Sequence, residues 1–361
     1  MRLSAVFNLK KFDWILWLAV VLLVFLGLVI QYSLSFETKD FGSLNMQAGV
    51  ALVGLFLIFL LAAWDYRGLM KGAWLVYGVA ILLLLTTLVI GRVAHGTKGW
   101  LWGFQVVELA KLAAVVMLAR FWAAKKEGMY WPENLLKGLA LILLPVVLIL
   151  LQPDFGSAMV LIGAGFLLLL LLDRRLKLVA VLVAIGLMLG AGAWFFVFKD
   201  YQKERVLTFL EPTRDPRGSG YQITQSVIAV GSGRLLGSGF ALGSQSQLKF
   251  LPEAKTDFAF SVVAEELGFL VAVLALALYA VIFWRIWRLI RDSYDDFGVL
   301  LAFGFGAVFL IQILVNVGMN LGVAPITGIP LPFVSYGGSS LIMCLAMIGL
   351  LESINAHQIK V

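Results

Sequence analysis

Long apolar runs dominate the sequence and constrain its fold more than any other feature. A membrane-spanning helix needs about 20 consecutive, mainly apolar residues, and the chain offers about ten such runs. The predicted spans are 13–32, 46–64, 73–91, 105–122, 138–152, 157–172, 178–198, 258–283, 299–320 and 339–355. The sequence therefore predicts an all-α integral membrane protein with about ten transmembrane helices, in a single polytopic membrane domain over residues 1–361.

Composition agrees with this fold class and leaves little room for a soluble domain. The chain is 61% hydrophobic and 14% charged, whereas soluble domains carry roughly 25% charged residues. The net charge of +7 does not indicate nucleic-acid binding, because the basic residues lie mainly in short loops between the apolar runs. Membrane lipids, and no nucleic acid, are therefore expected as partners. The single cysteine, Cys344, can form no internal disulfide.

The distribution of lysine and arginine predicts the orientation in the membrane. One set of connecting loops is rich in these residues, whereas the short loops on the other side hold only Lys39, Arg92 and Lys98. Cytoplasmic loops carry an excess of Lys and Arg, so the basic set is expected to be cytoplasmic, together with both termini. The segment 199–256 is then extracytoplasmic, because long loops translocate largely regardless of their charge.

The segment 199–256 separates the seventh and eighth predicted spans, and long loops in compact proteins are usually functional. The helical spacing of Ile223, Val227, Ile228 and Val230 predicts a short helix along the outer membrane surface. The nearby motif GSGRLLGSG has neither the G-x-G-x-x-G spacing nor the preceding strand of a nucleotide-binding site. It predicts turns close to the lipid headgroups.

The fourth predicted span contains two charged residues, Glu108 and Lys111. Each charge costs about 2.5–3.5 kcal/mol at the bilayer centre, and a spacing of three places both on one helix face, where they can pair. Asp154, which opens the sixth span, is predicted to face the same polar interior. This intramembrane polar cluster either lines a cavity used by substrate or only fixes the packing of the helices.

Another carboxylate, Asp257, is predicted in the first turn of the eighth span, at the water–lipid boundary. The positive end of a helix favours a charged carboxylate there. Asp257 is therefore either a reactive group or a helix-start residue, with Thr256 as the cap. Glu265 and Glu266 are weaker candidates for the reactive group, because a rise of about 1.5 Å per residue puts them some 12 Å or more deeper.

Long motifs bear directly on function. YQITQSVIAVGSGRLLGSGFALGSQSQLKFLPEAKTDFAFSVVAEELGFL and NVGMNLGVAPITGIPLPFVSYGGSS, together with GWLWGFQVVELAKLA and LQPDFGSA, closely resemble signatures of the SEDS family (shape, elongation, division, sporulation). The resemblance covers nearly the whole chain and favours the elongation members. It implies a ten-helix glycosyltransferase of the bacterial cytoplasmic membrane that polymerises lipid II, the lipid-linked peptidoglycan precursor. It also implies a class B penicillin-binding protein, a transpeptidase, as partner.

The chemistry implied by this resemblance assigns roles to individual residues. The simplest route is one inverting displacement of undecaprenyl diphosphate, which needs a base for the attacking hydroxyl and cations for the diphosphate. Asp257 is the expected base. The expected substrate-binding residues are Trp100, Lys98, Arg205, Lys249 and Ser335, with Arg214, Arg217 and Lys255 as further cations. Where family members often have a Gly-Lys-Gly turn, this chain has Gly237-Ser238-Gly239, so no cationic role is assigned to that turn.

Two questions stay open at this point. No cofactor is certain, although a divalent cation (Mg²⁺ or Mn²⁺) would suit the diphosphate; a histidine-based metal site is not expected, because His95 and His357 lack partners at ligand spacing. The alternative function is a lipid II flippase, in which the polar cluster would be a midplane transport site. Transporters commonly show repeated halves, and this sequence shows no internal repeat.

Overall fold

A computed structural model describes residues 11–36, 39–94, 97–125, 132–172, 200–216 and 218–358, and the single positions 184, 186, 192 and 195. Helices dominate this part of the chain. Numbered over it, they are α1 (Trp14–Phe36), α2 (Gly42–Ala63), α3 (Arg67–Ile90), α4 (Val106–Ala123), α5 (Pro132–Leu151), α6 (Phe155–Leu172), α7 (Asp200–Leu210), α8 (Ser219–Ser232), α9 (Ser244–Gln247), α10 (Ala259–Val262), α11 (Gly268–Asp292), α12 (Asp296–Asn320) and α13 (Gly338–His357).

Among the residues that the structure describes, seven helical segments are long and apolar enough to cross a membrane. They are α1, α2, α3, α5, the stretch Ala259–Asp292, α12 and α13. The fourth and sixth predicted spans coincide with α4, which carries charged residues, and with the shorter α6. The predicted seventh span, 178–198, lies outside the described residues apart from four single positions. The all-α membrane fold class is confirmed.

The centre of the bundle is formed by α4, α12 and α13. From Val106 to Ala119, every residue of α4 except Leu109 is buried. Helix α13 runs close along α2 because Gly349 lacks a side chain; a Cβ there would lie 3.1 Å from the Cα of Ile58. Small residues commonly permit such close helix contacts in membranes.

A small antiparallel sheet lies between α3 and α4, where the sequence predicts only a loop. Its strands are β1 (Arg92–Ala94), β2 (Thr97–Leu101) and β3 (Phe104–Gln105), in that spatial order. The β2–β3 turn consists of Trp102 and Gly103, both with positive φ (49° and 83°), as in the two-residue turns that suit hairpins. The sheet holds Trp100 opposite Arg92 and Gln105.

The segment 199–256 is structured over its described residues. The predicted short helix exists as α8: Ile223 and Ser226 are buried, whereas Val227 and Ile228 are each 45% exposed. One face of the helix therefore docks onto the protein. Ser226 bonds to α10 and α12, which explains why this face turns inward. The location of α8 along the outer membrane surface stays a prediction.

The glycine-rich turn after α8 packs against protein backbone, and its predicted position near the lipid headgroups stays a prediction. A Cβ on Gly233 would collide with the carbonyl oxygen of Ala264, and one on Gly237 with that of Glu266. The main chain is hydrogen-bonded there, since the amide nitrogen of Ser238 donates to the carbonyl of Glu265 (2.8 Å). These glycines are needed for close approach to the start of the next helix.

The eighth predicted span is not one regular helix. Helix α10 is followed by a π-helical turn, Val263–Leu267, and then by α11, whose first residue Gly268 has a φ of +82°. The depth and angular position of Glu265 and Glu266 relative to Asp257 therefore do not follow the ideal helix assumed from the sequence. π-turns within helices are frequently found at functional sites.

Candidate active site

Asp257 lies in a turn two residues before α10, not in the first turn of a helix as predicted. Its side chain is half-buried. The N-cap residue of α10 is Phe258, which makes no side-chain capping bond. The predicted cap, Thr256, instead directs its hydroxyl to Oε2 of Glu253 (3.0 Å). The structure therefore does not support the interpretation of this sequence as a Thr256-capped helix start.

We call Lys255–Asp257 the anchored tripeptide, because distant elements donate hydrogen bonds to its main chain. Two of its three carbonyl oxygens, those of Lys255 and Thr256, bind donors from α1 and from a loop near the C-terminal helix. The carbonyl of Lys255 accepts hydrogen bonds from Nε2 of Gln31 (3.0 Å) and from the amide nitrogen of Tyr336 (2.8 Å). The carbonyl of Thr256 accepts one from Oγ of Ser335 (2.5 Å). These donors come from α1 and from the loop 321–337.

The carbonyl oxygen of Asp257 itself is held by α12. It accepts hydrogen bonds from Nδ2 of Asn316 (2.9 Å) and Nδ2 of Asn320 (3.0 Å). Both asparagine side chains are fully buried. The three carbonyls of the anchored tripeptide thus bind donors from α1, α12 and the loop 321–337, so the position of Asp257 is set by the bundle as a whole.

The loop 321–337 forms the other side of the site. Its stretch 331–335 is buried, so this irregular backbone is covered by protein, as a non-helical segment at membrane depth requires. Gly328, with a φ of +73°, faces the carboxylate: a Cβ there would lie 3.7 Å from Oδ2 of Asp257. The hydroxyl of Ser335 donates to Thr256 and accepts from the amide of Leu331 (2.9 Å), so it supports the turn structurally.

The predicted cations occupy different environments. Nζ of Lys98 donates to the carbonyl of Leu88 (2.7 Å), at the C-terminus of α3, where a cation is favourable. Nζ of Lys255 donates to Oγ of Ser43 (2.9 Å). Arg205 and Lys249 are exposed in the segment 199–256. Arg214 pairs with Glu211 (3.0 Å), and Arg217 lies outside the described residues.

The hairpin that carries Trp100 is fixed to the same end of the bundle. The amide nitrogen of Gln105 donates to Oγ of Ser339 (2.9 Å), in the first turn of α13, which follows the loop 321–337. Trp100 is half-buried, whereas Trp102 at the tip of the hairpin is 89% exposed. The hairpin therefore connects to the site through α13.

Within the predicted intramembrane cluster, Glu108 and Lys111 form an ion pair. Nζ of Lys111 lies 2.8 Å from Oε1 of Glu108, and both side chains are buried. The third predicted member, Asp154, caps α6, because its Oδ1 accepts a hydrogen bond from the amide nitrogen of Ser157 (2.9 Å). Within the described ranges no ion pair joins Asp154 to Lys111. An N-cap is the ordinary role of aspartate at such a position.

Glu265 and Glu266, the rival carboxylates, bind the segment 199–256. The two carboxylate oxygens of Glu265 accept from the amide nitrogens of Gln245 (2.7 Å) and Ser246 (3.1 Å). Glu266 accepts from Nε2 of Gln247 (2.7 Å). Both side chains are buried. Their hydrogen bonds support a structural role.

Sequence reasoning missed the amides that anchor the tripeptide. Asn316 and Asn320 are four residues apart in an apolar helix, and Gln31 lies in another. Polar residues within membrane spans are rare and costly, so their presence was the available signal.

As for metals, the part of the chain that the structure describes contains no group of three or more His, Cys, Asp or Glu arranged to hold an ion.

Comparison with known proteins identifies the family. The family profile of the FtsW, RodA and SpoVE proteins, described as "Cell cycle protein", matches residues 13–360. The peptidoglycan glycosyltransferase MrdB of Escherichia coli K12 is 37% identical over 347 residues, which cover 94% of this chain and 93% of that protein. The peptidoglycan glycosyltransferase RodA of Treponema pallidum is 32% identical over 431 residues, 98% of this chain and 99% of its own.

Solved structures agree with this relationship. A chain from a peptidoglycan synthase complex, solved for its coordination of polymerization and crosslinking, has a TM-score of 0.82 and 36% identity, and the match covers 96% of this chain and 98% of that one. The rod shape determining protein RodA of Thermus thermophilus has a TM-score of 0.71 and 30% identity, with 96% and 97% covered. The chain therefore belongs to the FtsW/RodA/SpoVE family, the SEDS family that its motifs resemble.

Proposed function

We propose that this protein polymerises lipid II into glycan strands at the outer face of the bacterial cytoplasmic membrane, with Asp257 as the general base. The protein is a peptidoglycan glycosyltransferase of the type that maintains rod shape, as its relatives are named. The observation that carries the residue assignment is the anchored tripeptide. A half-buried carboxylate whose main chain is fixed from three elements suits a group that must be held in one place.

The reaction follows from the chemistry of the substrates. A hydroxyl oxygen of one glycan attacks the anomeric carbon of another, and a β-glycosidic bond forms as the α bond to the diphosphate breaks. The bonding electron pair leaves with undecaprenyl diphosphate, and the hydroxyl proton passes to a carboxylate oxygen of Asp257. A positioned base of this kind contributes about 10²–10⁴ in rate. Because diphosphate is a good leaving group once its charge is neutralised, no paired general acid is required.

Binding of the diphosphate is assigned to cations on the Asp257 end of the bundle. Arg205 and Lys249 are exposed in the segment 199–256, and Lys255 is part of the anchored tripeptide. Lys98 would have to release the carbonyl of Leu88 before it could contact substrate, so its main role in this proposal is to hold α3 and β2 together. Trp100 is proposed to contact the sugars from the hairpin.

We also propose a membrane topology and a partner for this protein. The segment 199–256 and the loop 321–337 lie outside, both termini lie in the cytoplasm, and a class B penicillin-binding protein cross-links the product. The positive-inside distribution of Lys and Arg supports the orientation. The likeness to a chain of a synthase complex that coordinates polymerization and crosslinking supports the partner.

The test is synthesis from purified components. The protein is reconstituted in vesicles with lipid II and no other enzyme, and the products are separated by glycan length. Polymer formation by the wild type, absent with Asp257→Asn, is the expected result. Movement of lipid II across the vesicle membrane without polymer would contradict the proposal and favour the flippase.

A further inference from the structure

We infer that Asn316 and Asn320 are positioning residues for the Asp257 carboxylate. Both amides donate to the carbonyl oxygen of Asp257, at 2.9 Å and 3.0 Å, and together they fix the peptide that follows the reactive residue. The inference rests on the proposed role of Asp257 as base. It adds two residues that act on the reaction through the main chain, without contact with substrate.

Asn316 joins the two halves of the site. Its Nδ2 donates to the carbonyl of Asp257 and also to the carbonyl of Ile329 (2.8 Å), so both of its amide hydrogens are used. Ile329 follows Gly328, the residue that faces the Asp257 carboxylate. One side chain therefore sets the spacing between the carboxylate and the loop opposite it.

The orientation of Asn320 is fixed by its own partners. Its Oδ1 accepts from the amide nitrogen of Ser261 (2.9 Å) and from the hydroxyl of the same residue (2.6 Å). An amide placed the other way round would direct its NH₂ group at the Ser261 amide donor, so this network determines the orientation. Nδ2 then faces the carbonyl oxygens of Asp257 (3.0 Å) and Asn316 (2.8 Å). Ser226 extends the network to α8 through its contact with Ser261 (2.7 Å).

Packing alone does not explain two amides at these positions. Asn316 and Asn320 are fully buried in an apolar helix, where apolar side chains would fill the same space without polar atoms to satisfy. Gln312, one turn further from Asp257 on the same helix, is equally buried, and neither its Oε1 nor its Nε2 has a hydrogen-bond partner among the described residues. Gln312 is therefore the matched control: it is a buried amide of the same helix that forms no side-chain hydrogen bond with the described residues.

The experiment compares Asn316→Leu, Asn320→Leu and Gln312→Leu in the full-length protein reconstituted with lipid II. The two asparagine variants are expected to lose about 10- to 100-fold in kcat, the size of effect that a misplacement of about 1 Å can produce. Their affinity for lipid II, measured separately by binding, should stay within about threefold of wild type. Gln312→Leu should keep near-normal kcat.

Hydrogen exchange separates a local change at the anchored tripeptide from a general loss of packing in the bundle. With Asn316→Leu and Asn320→Leu, exchange in a peptide covering residues 253–262 should accelerate while the rest of the bundle stays protected. If a leucine variant does not fold, the milder Asn316→Ser and Asn320→Ser replace it, with rates expressed per folded molecule. The same loss of kcat is expected.

Two results would overturn the inference. One is a normal kcat per folded molecule in both asparagine variants. The other is a loss of kcat that only parallels a loss of thermal stability or of lipid II affinity. Neither bears on Asp257 itself: if Asp257→Asn is inactive while the asparagine variants turn over normally, only the positioning role fails. If Asp257→Asn is active, the proposed base is wrong.

Discussion

Nζ of Lys111 lies 2.8 Å from Oε1 of Glu108, and the two side chains are 1% and 3% exposed. The pair lies in α4, which is buried along most of its length at the centre of the bundle. Because both side chains are buried away from water, each charge is stabilised mainly by the opposite charge of its partner. Removal of one partner from a buried pair costs about 3–5 kcal/mol, whereas replacement of both by apolar residues is often neutral.

The difference in stability between single and double variants of this pair can be compared with their rates of glycan synthesis, which distinguishes a packing role from a role in the reaction. Glu108→Gln and Lys111→Met should each lower the thermal stability of the purified protein strongly, and the double variant Glu108→Leu/Lys111→Met should recover most of it. Both side chains are buried, which favours a packing role, so we expect the double variant to keep most of its rate of glycan synthesis. A stable double variant with poor synthesis would show that the charges act on the reaction.

The rival carboxylates should behave differently. Glu265→Gln and Glu266→Gln weaken hydrogen bonds that hold residues 241–247, and bonds to a charged acceptor are worth about 1.5–3 kcal/mol each. The expected result is lower stability and faster proteolysis of the segment 199–256. Synthesis per folded molecule should fall far less than in Asp257→Asn. A rate loss as large as that of Asp257→Asn, in a stable protein, would make one of them the reactive group.

Ser335 should act through structure. Ser335→Ala removes the donor to the carbonyl of Thr256 and the acceptor of the Leu331 amide, and each buried group left unpaired costs about 1–3 kcal/mol. We expect a lower melting temperature and a reduced rate, with unchanged affinity for lipid II. A variant that is fully stable but binds lipid II weakly would show that Ser335 contacts substrate.

The orientation can be tested by cysteine labelling, because the native Cys344 is buried and 2% exposed. Ser238→Cys should react with an impermeant maleimide added outside intact cells. Tyr294→Cys, beyond the other end of α11, should react only after the membrane is opened. The 25 residues of α11 span about 37 Å, enough to place the two positions on opposite sides. The reverse pattern would invert the proposed topology.

The sequence predicted the helices well because each span must satisfy its main chain internally and so needs a long apolar run. It failed where structure depends on contacts between distant segments. The hairpin around Trp100 lies in a short stretch between two predicted spans that shows no long run of alternating polar and apolar residues. The interruption at Gly268 follows from the docking of the Gly233–Gly237 turn against it, which no local pattern reveals.

The site was predictable only in part for the same reason. Asp257 was visible as a carboxylate at the edge of an apolar run, but its anchoring by Asn316 and Asn320 depends on a contact across about 60 positions of the chain. The Glu108–Lys111 pair was predictable because helical spacing alone brings the two side chains together. The capping role of Asp154 could not be predicted, because the sequence does not show at which residue α6 begins.

The most direct test of the account is the rate of glycan polymerisation by purified Asp257→Asn and Asp257→Ala, with Glu253→Gln as control. Glu253 is an exposed carboxylate in the same turn, so its neutralisation changes the local charge equally without touching the proposed base. We predict that both Asp257 variants fold normally, bind lipid II and polymerise it roughly 10²–10⁴ times more slowly, whereas Glu253→Gln stays near wild type. Near-normal turnover in either Asp257 variant would contradict the account and place the catalytic base elsewhere.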